Sequence, residues 1–208
     1  DALTERLGRE RIGGVDEVRA VRAMLRDITG DLLADGVSVD QRLPLGVMIE
    51  VPSAVLVAAE LAREVDFLSL GTNDLAQYLL AADRDDAAMS GYYRMLHPAV
   101  LRAIRTCTRA GERARKPVTI CGEMAGDPYY TELLIGLGLR SFSVPPRQIG
   151  ELRHEIRQVD AGRAGGLARR LLRCATRDEI RRILDRRRAR RGDAHLGLAG
   201  PLHGQHAH

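Results

Sequence analysis

Four short apolar runs, each ending in polar and chemically capable residues, constrain this chain more than any other feature. They read Leu45-Gly46-Val47-Met48-Ile49-Glu50, then Phe67-Leu68-Ser69-Leu70-Gly71-Thr72-Asn73-Asp74, then Val118-Thr119-Ile120-Cys121-Gly122-Glu123, then Phe142-Ser143. Runs of this kind suit strands buried on both faces of a parallel sheet. The stretches between them are long enough for the crossovers that parallel strands require. The sequence therefore predicts an α/β fold with parallel strands near 45–50, 65–70, 117–121 and 140–144. In such repeats the reactive groups gather at the carboxyl ends of the strands. Two carboxylates, an amide and a thiol on one rim suggest a metal-assisted site that also donates a proton.

The chain has 208 residues, 45% hydrophobic and 29% charged, enough for one substantial domain with a real core. Aromatic residues are only 3%, with no Trp, so the core must rest on Leu, Val, Ile and Ala. No apolar run approaches the roughly 20 residues that span a bilayer, and no membrane partner is expected. The chain opens on Asp1 without a signal peptide, which reads as a cut edge. Its net charge is +4, and its basic residues are arginines apart from Lys116. Acids are interleaved with them as far as Arg186, and few aromatics are available to stack on bases, so nucleic acid is not expected as a partner. Cys107, Cys121 and Cys174 are widely spaced and odd in number. That pattern points to reduced thiols in the cytoplasm rather than a disulfide framework.

Residues 15–36 predict one amphipathic helix, with Val18, Val21, Leu25, Ile28 and Leu32 on a single stripe. Pro52 opens a helix over 53–64. A long irregular stretch is expected from the Gly71-Thr72-Asn73-Asp74 turn to His97-Pro98, of the length that functional loops have. Helix 99–115 places Cys107 on its apolar face as a small core residue. Asp127-Pro128 reads as an N-cap followed by Pro at the first helical position. Thr176 and Glu179 fit a capping box. Residues 189–208, basic and then rich in Gly, Ala and His, read as a disordered tail behind a domain over 1–188.

The residues alone leave their roles open. Glu50 and Asp74, at the ends of successive strands, would suit one Mg²⁺, a hard cation that takes oxygen ligands. They would equally suit two helix N-caps. Arg84, within Asp83-Arg84-Asp85-Asp86, is a surface ion-pair residue by default and a phosphate ligand by geometry. Cys121, at a strand end beside helix N–H groups, is either a structural thiol or a tuned acid.

Longer motifs carry a resemblance. The strings Gly46-Val47-Met48-Ile49-Glu50-Val51-Pro52-Ser53-Ala54, Asp66-Phe67-Leu68-Ser69-Leu70-Gly71-Thr72-Asn73-Asp74-Leu75-Ala76-Gln77-Tyr78, Ala82-Asp83-Arg84 and Cys121-Gly122-Glu123-Met124-Ala125-Gly126-Asp127 occur in this order. They resemble enzyme I of the phosphoenolpyruvate:sugar phosphotransferase system, in register from about residue 14 to 188. Pyruvate phosphate dikinases and phosphoenolpyruvate synthases share the Gly-Thr-Asn-Asp turn.

The resemblance implies the C-terminal half of a phosphoenolpyruvate/pyruvate-type (β/α)8 TIM barrel. It implies Mg²⁺ on Glu50 and Asp74, and substrate contacts from Asn73, Asp74 and Arg84. Cys121 would protonate the enolate carbon left by phosphoryl loss, giving pyruvate. The family's phosphohistidine domain and early barrel strands have no counterpart in the sequence. A phosphocarrier protein is expected to engage through that missing N-terminal part, and a homodimer is expected. Two other readings are a non-catalytic phosphoenolpyruvate-binding remnant and a fragment of a related dikinase or synthase.

Overall fold

The structure, a computed structural model, describes residues 11–40, 42–81 and 95–190. Helix α1 (Val15–Ala34) precedes strand β1 (Gly46–Ile49). Two short helices, α2 (Pro52–Leu56) and α3 (Ala58–Glu64), lead to β2 (Phe67–Gly71) and directly into α4 (Thr72–Leu80). Next come α5 (Pro98–Ala114), β3 (Val118–Cys121), α6 (Glu123–Gly126), α7 (Pro128–Gly136) and β4 (Ser141–Phe142). A 3-10 turn (Pro146–Gln148) then opens onto α8 (Ile149–Arg157), α9 (Ala161–Leu171) and α10 (Arg177–Arg190).

The four strands are parallel and stand in the order β1-β2-β3-β4. Each pairs with the strand before it, so the chain winds one way across the sheet. That is the order of a (β/α) barrel arc; a doubly wound sheet reverses direction at a switch point. The sheet is thus a sector of the (β/α)8 barrel expected from the sequence.

Register sets two faces. Ile49, Leu70, Ile120 and Phe142 align across the four strands, with Val47, Leu68 and Val118 in the row below. These rows lie against the core, and Ile49, Leu68, Leu70 and Ile120 have no exposed surface. The opposite face carries Met48, Ser69, Thr119 and Ser141, and Met48 is 44% exposed. The sequence expectation of strands buried on both faces is therefore corrected. The runs alternate, and the hydroxyls of the second face pair with one another: Thr119 Oγ1 and Ser141 Oγ are 3.0 Å apart.

Helix boundaries also differ from the sequence expectation. The helix foreseen over 53–64 is broken at Val57 into α2 and α3. The long irregular stretch foreseen after Gly71 begins instead as α4, because Leu75 and Ala76 can bury against the core. Residues 82–94, including Arg84, lie outside the described residues. Of the five apolar residues on the α1 stripe only Val18 is buried, and Ile28 is 51% exposed. The N-terminal part of α1 lies along α3, where Arg19 pairs with Glu64 and Arg22 reaches the Glu64 carbonyl. His97 caps α5, its Nδ1 accepting from Ala99 N at 3.2 Å. Burial lowers the His97 pKa, which suits that acceptor role. Cys107 is a core residue as expected, its thiol pushed up to about 12 by burial.

The last three helices cover the far side of α7. The capping box holds: Glu179 N donates to Thr176 Oγ1, and Thr176 N donates to Glu179 Oε2. Arg187 grips Glu132 of α7 with both Nε and a terminal nitrogen, the latter at 2.7 Å. Helix α10 runs to Arg190, two residues into the segment read as a tail; residues 191–208 lie outside the described residues.

Close helix packing generates a stability prediction. A Cβ on Gly136 of α7 would fall on the Ala164 carbonyl of α9, whereas one on Gly150 of α8 would meet nothing within 4 Å. Gly136→Ala should destabilise the chain by about 1–3 kcal/mol, the usual cost of overpacking. Gly150→Ala should be neutral or stabilising by up to about 1 kcal/mol, since Gly is a poor helix former. Urea unfolding of both variants checks the contrast.

Candidate active site

Parallel register brings three strand ends level. Ile49 pairs with Leu70, and Gly71 pairs with Cys121. Glu50, the residue after Ile49, therefore stands beside Gly71. A Cβ on Gly71 would lie 3.2 Å from Glu50 Cβ and 3.3 Å from Glu50 Oε2. Glycine at that position leaves the room in which the Glu50 carboxylate sits.

Asp74 lies in the first turn of α4, where the helix dipole favours negative charge. Its carboxylate and that of Glu50 converge on the same guanidinium, that of Arg11. The pKa of Glu50 is raised, first by burial; the Arg11 charge opposes the rise, and the Asp74 charge and hydrogen bond add to it. Arg11 bridges the pair, with Nε 3.5 Å from Glu50 Oε1 and a terminal nitrogen 3.9 Å from Asp74 Oδ2. The guanidinium also lies 5.3 Å from the centroid of the Tyr78 ring, one helical turn beyond Asp74.

A second set of contacts fastens β2 to β3 just above the sheet. Thr72 Oγ1 donates to the Cys121 carbonyl at 2.8 Å. Glu123 N donates to Asn73 Oδ1 at 3.2 Å. Between them Gly122 has φ +94°, a conformation that side chains rarely adopt. A Cβ there would also approach Thr72 Oγ1 to 2.6 Å. Cys121 is half-buried, and its Sγ donates to the Leu70 carbonyl at 3.3 Å. Ser69 Oγ lies 3.9 Å from the same sulfur.

Glu50, Asn73, Asp74 and Cys121 are thus brought to one rim, as three adjacent strand ends. Arg84 falls outside the described residues. Asp127 is an N-cap, accepting from Tyr129 N at 2.8 Å, and its pKa is raised chiefly by burial. Sequence reasoning assigned no role to Thr72, Gly71 or Gly122, although each stands within a motif it singled out. It also missed Arg11, which nothing in the sequence separates from the other arginines.

Among the described residues no three His, Cys, Asp or Glu side chains form a metal-holding group. The Glu50–Asp74 pair offers oxygen ligands only. Such a pair suits an ion that keeps waters or substrate oxygens in its remaining positions, as Mg²⁺ does. The two carboxylates already hold one positive group in common, the Arg11 guanidinium, which is the arrangement a cation-binding pair requires.

Comparison with known proteins gives consistent descriptions. The family described as "PEP-utilising enzyme, PEP-binding domain" matches residues 11–161. A phosphoenolpyruvate-protein phosphotransferase of Haloferax volcanii is 43% identical over 176 residues, covering 83% of this chain and 30% of that protein. The protein of the same name from Staphylococcus epidermidis is 37% identical over 169 residues, covering 81% and 30%. A protein of Escherichia coli named phosphoenolpyruvate-dependent phosphotransferase system is 42% identical over 148 residues, covering 71% and 20%. The chain therefore spans about a third or less of the length of these curated relatives. Among solved structures, a citrate lyase from Burkholderia xenovorans is 22% identical, with a TM-score of 0.49, covering 84% of this chain and 61% of that one.

The electrostatics of Glu50 generate a pH prediction for the metal-free chain. Its carboxyl binds a proton more tightly when folded than when unfolded. Its contribution is therefore most favourable at low pH, below the unfolded value. That contribution is lost as pH rises from the ordinary carboxylate range through the raised folded value. Glu50→Gln should flatten this step and unfold at no lower temperature than the parent at pH 7. Thermal unfolding between pH 4 and pH 8 measures it; a variant whose pH profile matches the parent's would contradict the assignment.

Proposed function

The chain belongs to the PEP-binding domain family of PEP-utilising enzymes, and from that membership we propose that it supplies the phosphoenolpyruvate- and Mg²⁺-binding rim of a phosphotransferase. The complete reaction moves a phosphoryl group from phosphoenolpyruvate to a protein histidine and releases pyruvate. The relatives' names support the reaction class. The observation that carries the reading is the convergence of the Glu50 and Asp74 carboxylates on one point, the Arg11 guanidinium, at the carboxyl ends of adjacent parallel strands next to Cys121.

In this reading Glu50 and Asp74 hold Mg²⁺, which when bound supplies charge stabilisation for the phosphoryl group and the developing enolate. Asn73 is positioned by its bond to Glu123 N, so one side of its amide is fixed and the other can meet substrate. Arg84 binds phosphate through its forked donors. Cys121 holds a proton at Sγ and delivers it to the enolate carbon, as a placed general acid. A phosphocarrier protein accepts the phosphoryl group from the histidine, and the working assembly is a homodimer in the cytoplasm.

Two measurements test this. Calorimetric titration of the chain with Mn²⁺ or Mg²⁺ should show binding that Glu50→Gln and Asp74→Asn each weaken by at least about tenfold, the effect of removing one of two ligand charges. Binding unchanged in both variants would remove the carboxylates from the metal site. For Cys121, the segment can replace its counterpart in the Haloferax volcanii relative. Cys121→Ala in that chimera should leave phosphoenolpyruvate binding nearly intact and slow pyruvate formation by roughly 10²–10⁴-fold, the usual contribution of a placed acid. Protonation should also lose its facial preference, read from the chirality of the methyl group formed in deuterated solvent from phosphoenolpyruvate that carries tritium stereospecifically at C3. Pyruvate made at the parent rate and with the parent stereochemistry would make the thiol structural.

A further inference from the structure

Two carboxylates that converge on one point repel unless a cation lies between them. In this structure the cation is part of the chain. Arg11 contacts Glu50 at 3.5 Å and Asp74 at 3.9 Å, and its guanidinium also meets the Tyr78 ring. The guanidinium therefore stands where an ion shared by the pair would stand. Its attachment also differs from that of the other rim residues. Glu50, Asn73, Asp74 and Cys121 sit on strand ends or on the first turn of a helix. Arg11 belongs to neither, and joins α1 through Ile12, Gly13 and Gly14. Ile12 packs against the core and anchors the segment. The arginine side chain beyond it has a long, rotatable stem, is 34% exposed, and belongs to no helix or strand.

We propose that Arg11 is a displaceable internal counter-cation, which holds Glu50 and Asp74 together in the absence of metal and competes with the divalent ion for them. The proposal rests on the reading of that pair as the Mg²⁺ site. Tyr78 provides the resting contact for the guanidinium through its ring face. The consequence is a built-in threshold: a divalent ion must displace or push aside one positive charge before it gains both carboxylates. A divalent ion carries twice the charge of the guanidinium and can bind carboxylate oxygens more closely than the 3.5 and 3.9 Å at which Arg11 stands, so it can win the competition.

The test uses the 208-residue chain, Mn²⁺ as the probe, and the variants Arg11→Gln and Arg11→Lys. Glutamine keeps length and removes charge; lysine keeps charge. Arg11→Gln should bind Mn²⁺ more tightly than the parent by roughly tenfold, the scale of one unit charge removed at about 4 Å from a half-exposed site. Arg11→Lys should stay within about threefold of the parent, since the charge remains. Without metal, Arg11→Gln should unfold about 2–4 °C lower, the scale of an ion pair worth on the order of 1 kcal/mol in a chain of this size. Added Mn²⁺ should recover the difference. If the parent binds Mn²⁺ and Arg11→Gln binds it equally or less tightly, the competition is overturned while the metal site stands. If that variant also loses phosphoenolpyruvate affinity, Arg11 is a substrate contact. If neither parent nor variant binds Mn²⁺, the metal reading fails and this proposal fails with it.

Discussion

The register of β1, β2 and β3 is the constraint on which the rest depends. A buried row, Ile49, Leu70 and Ile120, crosses the three strands with no exposed surface. Because side chains alternate along a strand, slipping any one of them by a residue would send its apolar set to the opposite face. The core thus enforces a register, and the register fixes which residues end level. Glu50 arrives beside Gly71, and Gly71 beside Cys121. The polar rim is a by-product of apolar packing: the cost of misplacing it is the cost of unburying leucine and isoleucine, far larger than any single contact at the rim itself.

Above the strand ends the backbone has to turn quickly, and two glycines make that possible in different ways. Gly71 matters for volume, since any side chain there would crowd the Glu50 carboxylate. Gly122 matters for conformation as well as volume, since its φ is positive and Thr72 and Asn73 close over it. The bonds from Thr72 to the Cys121 carbonyl and from Glu123 N to Asn73 then fasten two successive βα turns. Asn73 and Cys121 thus stand on two turns that these bonds hold side by side.

Much of this was legible in the sequence, for an identifiable reason. Strand-end chemistry follows from short-range pattern: an apolar run of four or five residues, then Glu50, Asn73-Asp74 or Cys121. The capping box at Thr176 and the N-cap at Asp127 are likewise local, and both appear as read. What was illegible depends on long-range packing. Helix α4 was taken for loop because the Gly-Thr-Asn-Asp turn looks like a breaker, yet Leu75 and Ala76 find a core to bury in. The α1 stripe has the period of a buried face, but of its five residues only Val18 is buried. The open face of the sheet was hidden by runs that look uniformly apolar until Ser69, Thr119 and Ser141 are seen to align. Arg11 was illegible because its meaning lies in two residues 39 and 63 positions further along the chain.

The carboxylate pair ties these levels to the order of events at the rim. With Arg11 between them, Glu50 and Asp74 leave the cluster one unit negative when both are ionised. Under the proposed function, a ligand carrying a phosphate and a carboxylate would meet that negative field as it approached the strand ends, and its association would be slowed accordingly. If a divalent ion takes Arg11's place, the two carboxylates are balanced, and the released guanidinium adds a further positive charge within reach of the same rim. The change is two units in the direction that favours an anion. On the reading of the pair as a divalent-ion site, the rim would distinguish its two ligands by sign: the cation would displace Arg11, and an anion would be accepted well only after that exchange. No moving domain is required for that order. It follows from two buried-edge carboxylates, one flexible arginine, and a strand register that holds the carboxylates within reach of a single charge.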